Sequence, residues 1–495
     1  MQIESYRTRL EEFEQNLNRE LFRYYSGQKS RLEILSAYSD YADLFSAWSI
    51  REVEAELKKT SESFASRKKS LQKIHRFLID QYLDSRTAPL TQESALFEAK
   101  QTLVWEGMDV GLSQVPGLLK NEPDAARRRK LSELHVRALG KSELRQKRVV
   151  QLNSAAVGLE FRNYTQAREL INGTDYKQLL KSFDGVLDRL EDRYLEQLRV
   201  SFESTLGFPF SEAGSWDVAY WRKKNDPLHI FSQRHLLPVI EMTISEFGIQ
   251  PEHSDAVTFD LESRASKKPG SFCIPIRIPQ EVKVVMQPED GSGSYAALLH
   301  ESGHALHFAW TSSSLPVEYR IWGDRALSES YAFLFENCIL DPKWLAHVLF
   351  FTESEEFLRF QYLLRVFLVR RCAGRLCFSM RLHEQESGAD MPQVYAEIMK
   401  AYTGVQHLPG SWLEELPDGF EAADCLRGWA LESMLRDYLR SKYGRTWFLN
   451  RSSAGFLKEI WETGQLYNAD ELCREIGIGG LDPQVLADEL SEGLR

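Results

Sequence analysis

Three residues in one short stretch, His300, Glu301 and His304, form the pattern H-E-x-x-H. Residues four apart on an α-helix stand one above the other, so the two imidazoles can grip one metal ion from a single face. Glu301 lies about 100° further round than His300, and it can reach a water at the metal without being a ligand. A catalytic zinc usually takes three protein ligands and keeps one position open. The third is expected downstream. Glu329 follows His304 by 25 residues, and Glu336 stands seven beyond it, two helical turns on and hence on the same face. Glu329 is assigned to the metal, with one zinc ion per chain. Glu336 is assigned to a histidine ring that must be held in its ligating tautomer. Zinc so held polarises a carbonyl and acidifies water, Glu301 serves as general base, and peptide-bond hydrolysis is the chemistry this set suits. His307 is assigned to packing or hydrogen bonding. Gly303 weakens the helix it sits in, which is explained by close approach of another element or of substrate.

These side chains require a helix from Ser294 to Trp310, with Ser294 as its cap, and a second helix from about Arg325 to Leu340. Ahead of them the pattern is extended: Ala256 to Leu261, a turn at Lys268-Pro269-Gly270 leading into Ser271 to Ile274, and Val282 to Gln287. The strand near Val282 ends directly before the metal helix, and its open edge is expected to bind an extended peptide beside the metal. From Ile3 to about Leu206 the chain reads as helix after helix, with apolar runs such as Leu10, Phe13, Leu17, Leu21, Tyr24 and Leu71, Ile74, Phe77, Leu78, Tyr82. Breaks are expected at Gly27, at Thr87-Ala88-Pro89, from Gly107 to Gly117, at Asn121 to Pro123 and at Asn172 to Thr174. Further helices are expected over Trp216 to Lys224, Ile230 to Phe247 and, longest of all, Glu355 to Glu384. The fold class is mainly α, with a helical N-terminal lobe or lid over 1–205, a catalytic region over 206–495 and a small sheet beside the H-E-x-x-H helix.

Composition narrows the partners. The 495 residues are 43% hydrophobic and 27% charged, as in a globular chain. A net charge of −11 speaks against general affinity for nucleic acid or anionic membrane. The basic run Arg127-Arg128-Arg129-Lys130 is assigned to a solvated helix face. No apolar run has the character of a signal peptide or the length of a transmembrane helix. Six cysteines without a C-x-x-C pair read as reduced thiols, and the expected location is cytoplasmic. Cys372 and Cys377 are expected to be buried apolar thiols.

The stretch Ser294-Tyr-Ala-Ala-Leu-Leu-His300-Glu301-Ser-Gly-His304-Ala-Leu-His307-Phe308 resembles the signature of the thimet oligopeptidase/oligopeptidase F family of zinc peptidases. So does Glu329-Ser-Tyr-Ala-Phe-Leu-Phe-Glu336-Asn337 at the matching distance. Phe259-Asp260-Leu261, Lys268 to Cys273 and Trp216-Asp217-Val218-Ala219-Tyr220 are also similar to segments found there. The resemblance runs from about Trp216 to Asn337 and more weakly from Gly419 to Tyr443. It implies a two-lobed, gluzincin-type metallopeptidase with a deep channel that admits short unstructured peptides, and substrate backbone bound by the strand near Val282. It also implies hydroxyl donors for the oxyanion in the stretch Leu416 to Trp429. This chain departs there: Phe420, Asp424 and Arg427 stand in the tyrosine places. Arg427 is left as either a cationic donor or a buried ion pair, and His407 and Tyr443 are further candidates.

Two rivals remain. A carboxypeptidase or dipeptidyl carboxypeptidase would need a cation for the substrate's terminal carboxylate, and Arg365, Arg370, Arg371 and Arg375 are the candidates. A zinc-binding, peptide-binding pseudoenzyme would keep the metal ligands and lack an effective oxyanion donor.

Overall fold

A computed structural model describes residues 3–251, 255–384, 390–415 and 419–495. Among the described residues helices dominate, and five short strands interrupt them. The first helix, Ile3–Tyr25, buries Leu10 and Phe13, the residues of the apolar stripe. The expected break at Thr87-Ala88-Pro89 is absent: a single helix runs Ala65–Lys100 with Pro89 inside it. A mid-helix proline removes one backbone hydrogen bond and costs about 3 kcal/mol. Packing offsets that cost, because Leu71, Ile74, Leu78, Thr87 and Ala88 are all buried along this helix.

Where helix is expected up to a break at Gly107 to Gly117, an antiparallel hairpin begins earlier, with β1 (Thr102–Trp105) ahead of that break and β2 (Met108–Gly111) within it. Its two-residue turn, Glu106-Gly107, has positive φ at both positions (53° and 78°), the geometry that matches the twist of paired strands. The basic run is also not wholly solvated. In helix Ala125–Leu139, Arg128 is buried and its Nε donates to Asp217 at 2.7 Å.

The second sheet lies beside the candidate site. It contains β3 (Val257–Asp260), β4 (Ser271–Arg277) and β5 (Glu281–Met286) in the order β3-β5-β4. The strand near Val282 is therefore the middle one, parallel to β3 and antiparallel to β4, and both its edges are spent on neighbours. It cannot add an extended peptide. The edge strands are β3 and β4.

The histidine helix, Ser292–Trp310, starts two residues before its expected cap. Ser294 Oγ instead accepts from the Glu289 backbone N–H at 3.0 Å, and the Ser292 N–H donates to both carboxylate oxygens of Asp226. Gly291, at φ 123°, permits this. A Cβ there would stand 2.6 Å from Asp226 Oδ2. The glutamate helix, Arg325–Glu336, follows, then Glu355–Glu384, Met391–Thr403 and Glu421–Tyr443. One hydrophobic core joins the N-terminal helices to the helices beginning at Glu355 and Glu421, and another gathers the sheet, the histidine helix and the glutamate helix.

Candidate metal centre

The glutamate helix is wedged between two neighbours, each notched by a glycine. A Cβ on Gly303 of the histidine helix would meet Tyr331 O at 2.5 Å. On the other side a Cβ on Gly428, in helix Glu421–Tyr443, would meet Glu329 Cβ at 2.7 Å. The close approach expected at Gly303 is thus made by the glutamate helix. These two contacts set the height and tilt of Glu329 over the histidines.

His300 Nε2 lies 3.7 Å from Glu329 Oε2, and His304 Nε2 lies 3.8 Å from Glu329 Oε1. One ligand atom from each residue fits within 4.8 Å of the others. Both rings have their other nitrogen engaged: His300 Nδ1 with Glu336 Oε2 at 2.8 Å, and His304 Nδ1 with Ser328 Oγ at 2.8 Å. Hydrogen bonds at Nδ1 leave the Nε2 lone pairs facing Glu329, as metal ligation requires. Two imidazoles and a carboxylate form a donor set suited to a divalent metal such as zinc. His307 is fully buried, with Nε2 3.3 Å from Gly464 O, and takes the packing role expected of it.

Burial opposes charge on His300, but the carboxylates of Glu336, Glu329 and Glu301 outweigh it and raise its pKa to about 9. Burial pushes Glu329 up to about 7 and raises Glu301 as well. His304, buried and beside two other imidazoles, is held well below the ordinary value. Three carboxylates against two imidazoles is a charge pattern that a divalent cation would largely offset.

Glu301 is 8% exposed, and strand β4 fixes its carboxylate. Ser271 Oγ donates to Oε1 at 2.8 Å, and the Cys273 backbone N–H also bonds it. The edge strand thus meets the site at Glu301. Ser328 and Ser271 escaped the sequence reading. Ser328 carries the weak signal of standing directly before Glu329. Ser271 carries none.

The chain aligns along 96% of its length with a PZ peptidase A solved with an inhibitor, at a TM-score of 0.69 and 16% identity over 85% of that chain. A candidate oligoendopeptidase F from Bacillus anthracis gives 0.65 at 16% identity, with 96% and 84% of the two chains covered. A further candidate oligoendopeptidase F gives 0.67 at 15%, with 96% and 85% covered. The fold is that of oligoendopeptidase F. No family model matches the sequence, and neither does any curated protein.

On this oligoendopeptidase F fold the departures seen in the sequence take physical form. Leu416, Pro417 and Asp418 lie outside the described residues. Phe420 is buried and stacked on Tyr176, with ring centroids 4.6 Å apart. Asp424 is buried, and its pKa is raised to about 7 by that burial. Arg427 is committed to Asp324 through two hydrogen bonds of 2.7 and 2.5 Å, which decides between the two roles left open for it. Asp324 in turn caps the glutamate helix at Ala326 N and accepts from Ala469 N. His407 is buried between Tyr395 and Thr403, and Tyr443 lies beside Phe456. The four arginines named as carboxylate anchors are also engaged: Arg365 with Glu432 and Glu489, Arg370 with Glu191, Arg371 and Arg375 with Glu415.

Proposed function

We propose that the protein is a zinc-dependent peptidase that hydrolyses peptide bonds in short, unstructured peptides. Its metal ligands are His300, His304 and Glu329, and its general base is Glu301. One observation carries this reading: two histidine Nε2 atoms and a carboxylate converge on one point while a separate, strand-held carboxylate stands one residue from the first ligand. The likeness to solved structures of oligoendopeptidase F and PZ peptidase supports the same class of substrate. Bound there, zinc supplies Lewis acidity toward a carbonyl and lowers the pKa of water. Glu301 takes the proton from the attacking water and returns it to the leaving amine, and the bonds from Ser271 and Cys273 aim its carboxylate for both transfers. Glu336 and Ser328 hold the two rings in one tautomer. Strand β4, as an edge, is the element that would pair with substrate backbone. The N-terminal helices over 1–205 would wall the channel.

Glu301→Gln should retain zinc and lose at least about 10²-fold in turnover, whereas Glu329→Ala should lose both. Full activity in Glu301→Gln would sink the assignment. The positions of Phe420, Asp424 and Arg427 favour one second reading, peptide binding without efficient turnover. Bound zinc with no cleavage across a peptide library would select it.

A further inference from the structure

The rival exopeptidase reading needed a free cation near the metal. The four arginines expected to supply it are paired, but a different one is not. Arg222, on helix Val218–Lys224, is exposed and makes no hydrogen bond or ion pair among the described residues. It lines a cavity of about 50 Å³ whose wall includes Glu336, the residue that holds His300. Two more donors on that wall lack acceptors. Arg365 is 5% exposed and spends Nη1 and Nη2 on Glu489 and Glu432, which leaves Nε without a partner. Asn337 Nδ2 is buried and likewise has none. Gln361, also on the wall, is spent on Ser292 Oγ at 3.4 Å.

Resting on the peptidase reading, we propose that this cavity is a carboxylate subsite for the bound peptide, with Arg222 as its anchor and Arg365 Nε and Asn337 Nδ2 as its inner donors. A buried donor without an acceptor carries a desolvation cost, so Arg365 Nε and Asn337 Nδ2, with the exposed Arg222 on the same wall, match a ligand that only accepts. A carboxylate is such a group, and its bond to a guanidinium is charge-assisted. The volume holds a carboxylate or a few waters. Glu336 and Asp226 both face Arg222, and each is hydrogen-bonded elsewhere: Glu336 Oε2 to His300, and Asp226 to the Ser292 N–H. Arg371 adds positive charge from helix Glu355–Glu384. Leu364, Leu368 and Trp429 make the rest of that wall apolar. Glu336 lines the cavity and also bonds His300, so the cavity adjoins the support of the first proposed ligand. The C-terminal carboxylate of the peptide is the source this placement favours, and an acidic side chain is the other.

Three quenched fluorescent peptides test this, identical except at the end: free acid, amide, and an amide whose last residue is Glu. The free acid should exceed the plain amide in kcat/KM by about 10- to 100-fold, the worth of a charge-assisted hydrogen bond. In Arg222→Gln the ratio should fall toward one, with Tm confirming that the variant folds. Preference for the Glu-ended amide over the free acid would overturn the C-terminal assignment in favour of a side-chain pocket. Equal rates for all three in the wild type, or an unchanged ratio in Arg222→Gln, would overturn the subsite. If the wild type cuts none of them, the peptidase reading has failed instead. Fluorescence anisotropy of the same peptides then reads the subsite alone, and equal affinity for acid and amide would refute it.

Discussion

Gly428→Ala probes how Glu329, the proposed third ligand, is positioned without touching a proposed ligand or the proposed base. An ideal Cβ at 428 stands 2.7 Å from Glu329 Cβ, 3.3 Å from Phe333 Cε2 and 3.4 Å from Ala326 O. Non-bonded carbons rest at about 3.5–4.0 Å, so the two helices must part by about 1 Å. The glutamate helix has no room to retreat, because a similar notch at Gly303 already places it against the histidine helix. The displacement therefore falls on Glu329. Overpacking of this kind costs about 1–3 kcal/mol in stability. A metal site tolerates about 0.2 Å in its ligand distances, and a 1 Å misplacement can cost about 10²-fold in rate. Competition against a chromophoric chelator should show weakened metal binding, and peptide turnover should fall with it. Gly185→Ala is the control. It lies on helix Tyr176–Leu206 with nothing within 4 Å of its Cβ, and should gain about 0.5–1 kcal/mol from helix propensity alone. Wild-type metal affinity and turnover in Gly428→Ala would refute the argument that the glycine notches set the site.

Glu336→Gln should weaken metal binding by about 10–100-fold while the fold stays intact, as read by chelator competition and circular dichroism. Arg427→Met should destabilise by about 3–5 kcal/mol in denaturant unfolding, because it leaves Asp324 buried, unpaired and poorly able to cap the glutamate helix. A loss of turnover with unchanged stability would return Arg427 to the oxyanion. The same pair sets an acid limit. Burial pushes the pKa of Asp324 up, but Arg427 and the Ala469 and Ala326 N–H groups outweigh it and hold it below the usual carboxylate value. Its contribution is thus present above about pH 4, the unfolded value, and is lost as pH falls through the lower folded one. The slope of stability against pH below 4 should be shallower in Asp324→Asn.

What the sequence made legible was local. H-E-x-x-H needs only the pitch of one helix, and Glu329 with Glu336 needs only the pitch of a second. The features that stayed hidden depend on segments far apart in the chain. Asp226 caps a helix 66 residues downstream, and no local pattern marks it. Strand order is a matter of pairing, so the strand beside Val282 looked like an edge when it is the middle. Pro89 was read by its local cost, which tertiary burial of its helix outweighs. The Glu106-Gly107 turn lacks the Asn or Asp that usually announces a hairpin. Arg365, Arg371 and Arg427 could not be told apart by type from Arg222, because the difference lies in whether a carboxylate from a distant segment comes within ion-pair distance.

The central claim is that His300, His304 and Glu329 hold a catalytic zinc served by Glu301. Metal analysis of the purified chain, paired with chelator-sensitive hydrolysis of a quenched peptide library, tests it most directly. One zinc per chain is expected, with cleavage abolished by chelation and restored by zinc, and with metal retained in an inactive Glu301→Gln. Peptide hydrolysis that survives both chelation and Glu329→Ala would contradict it.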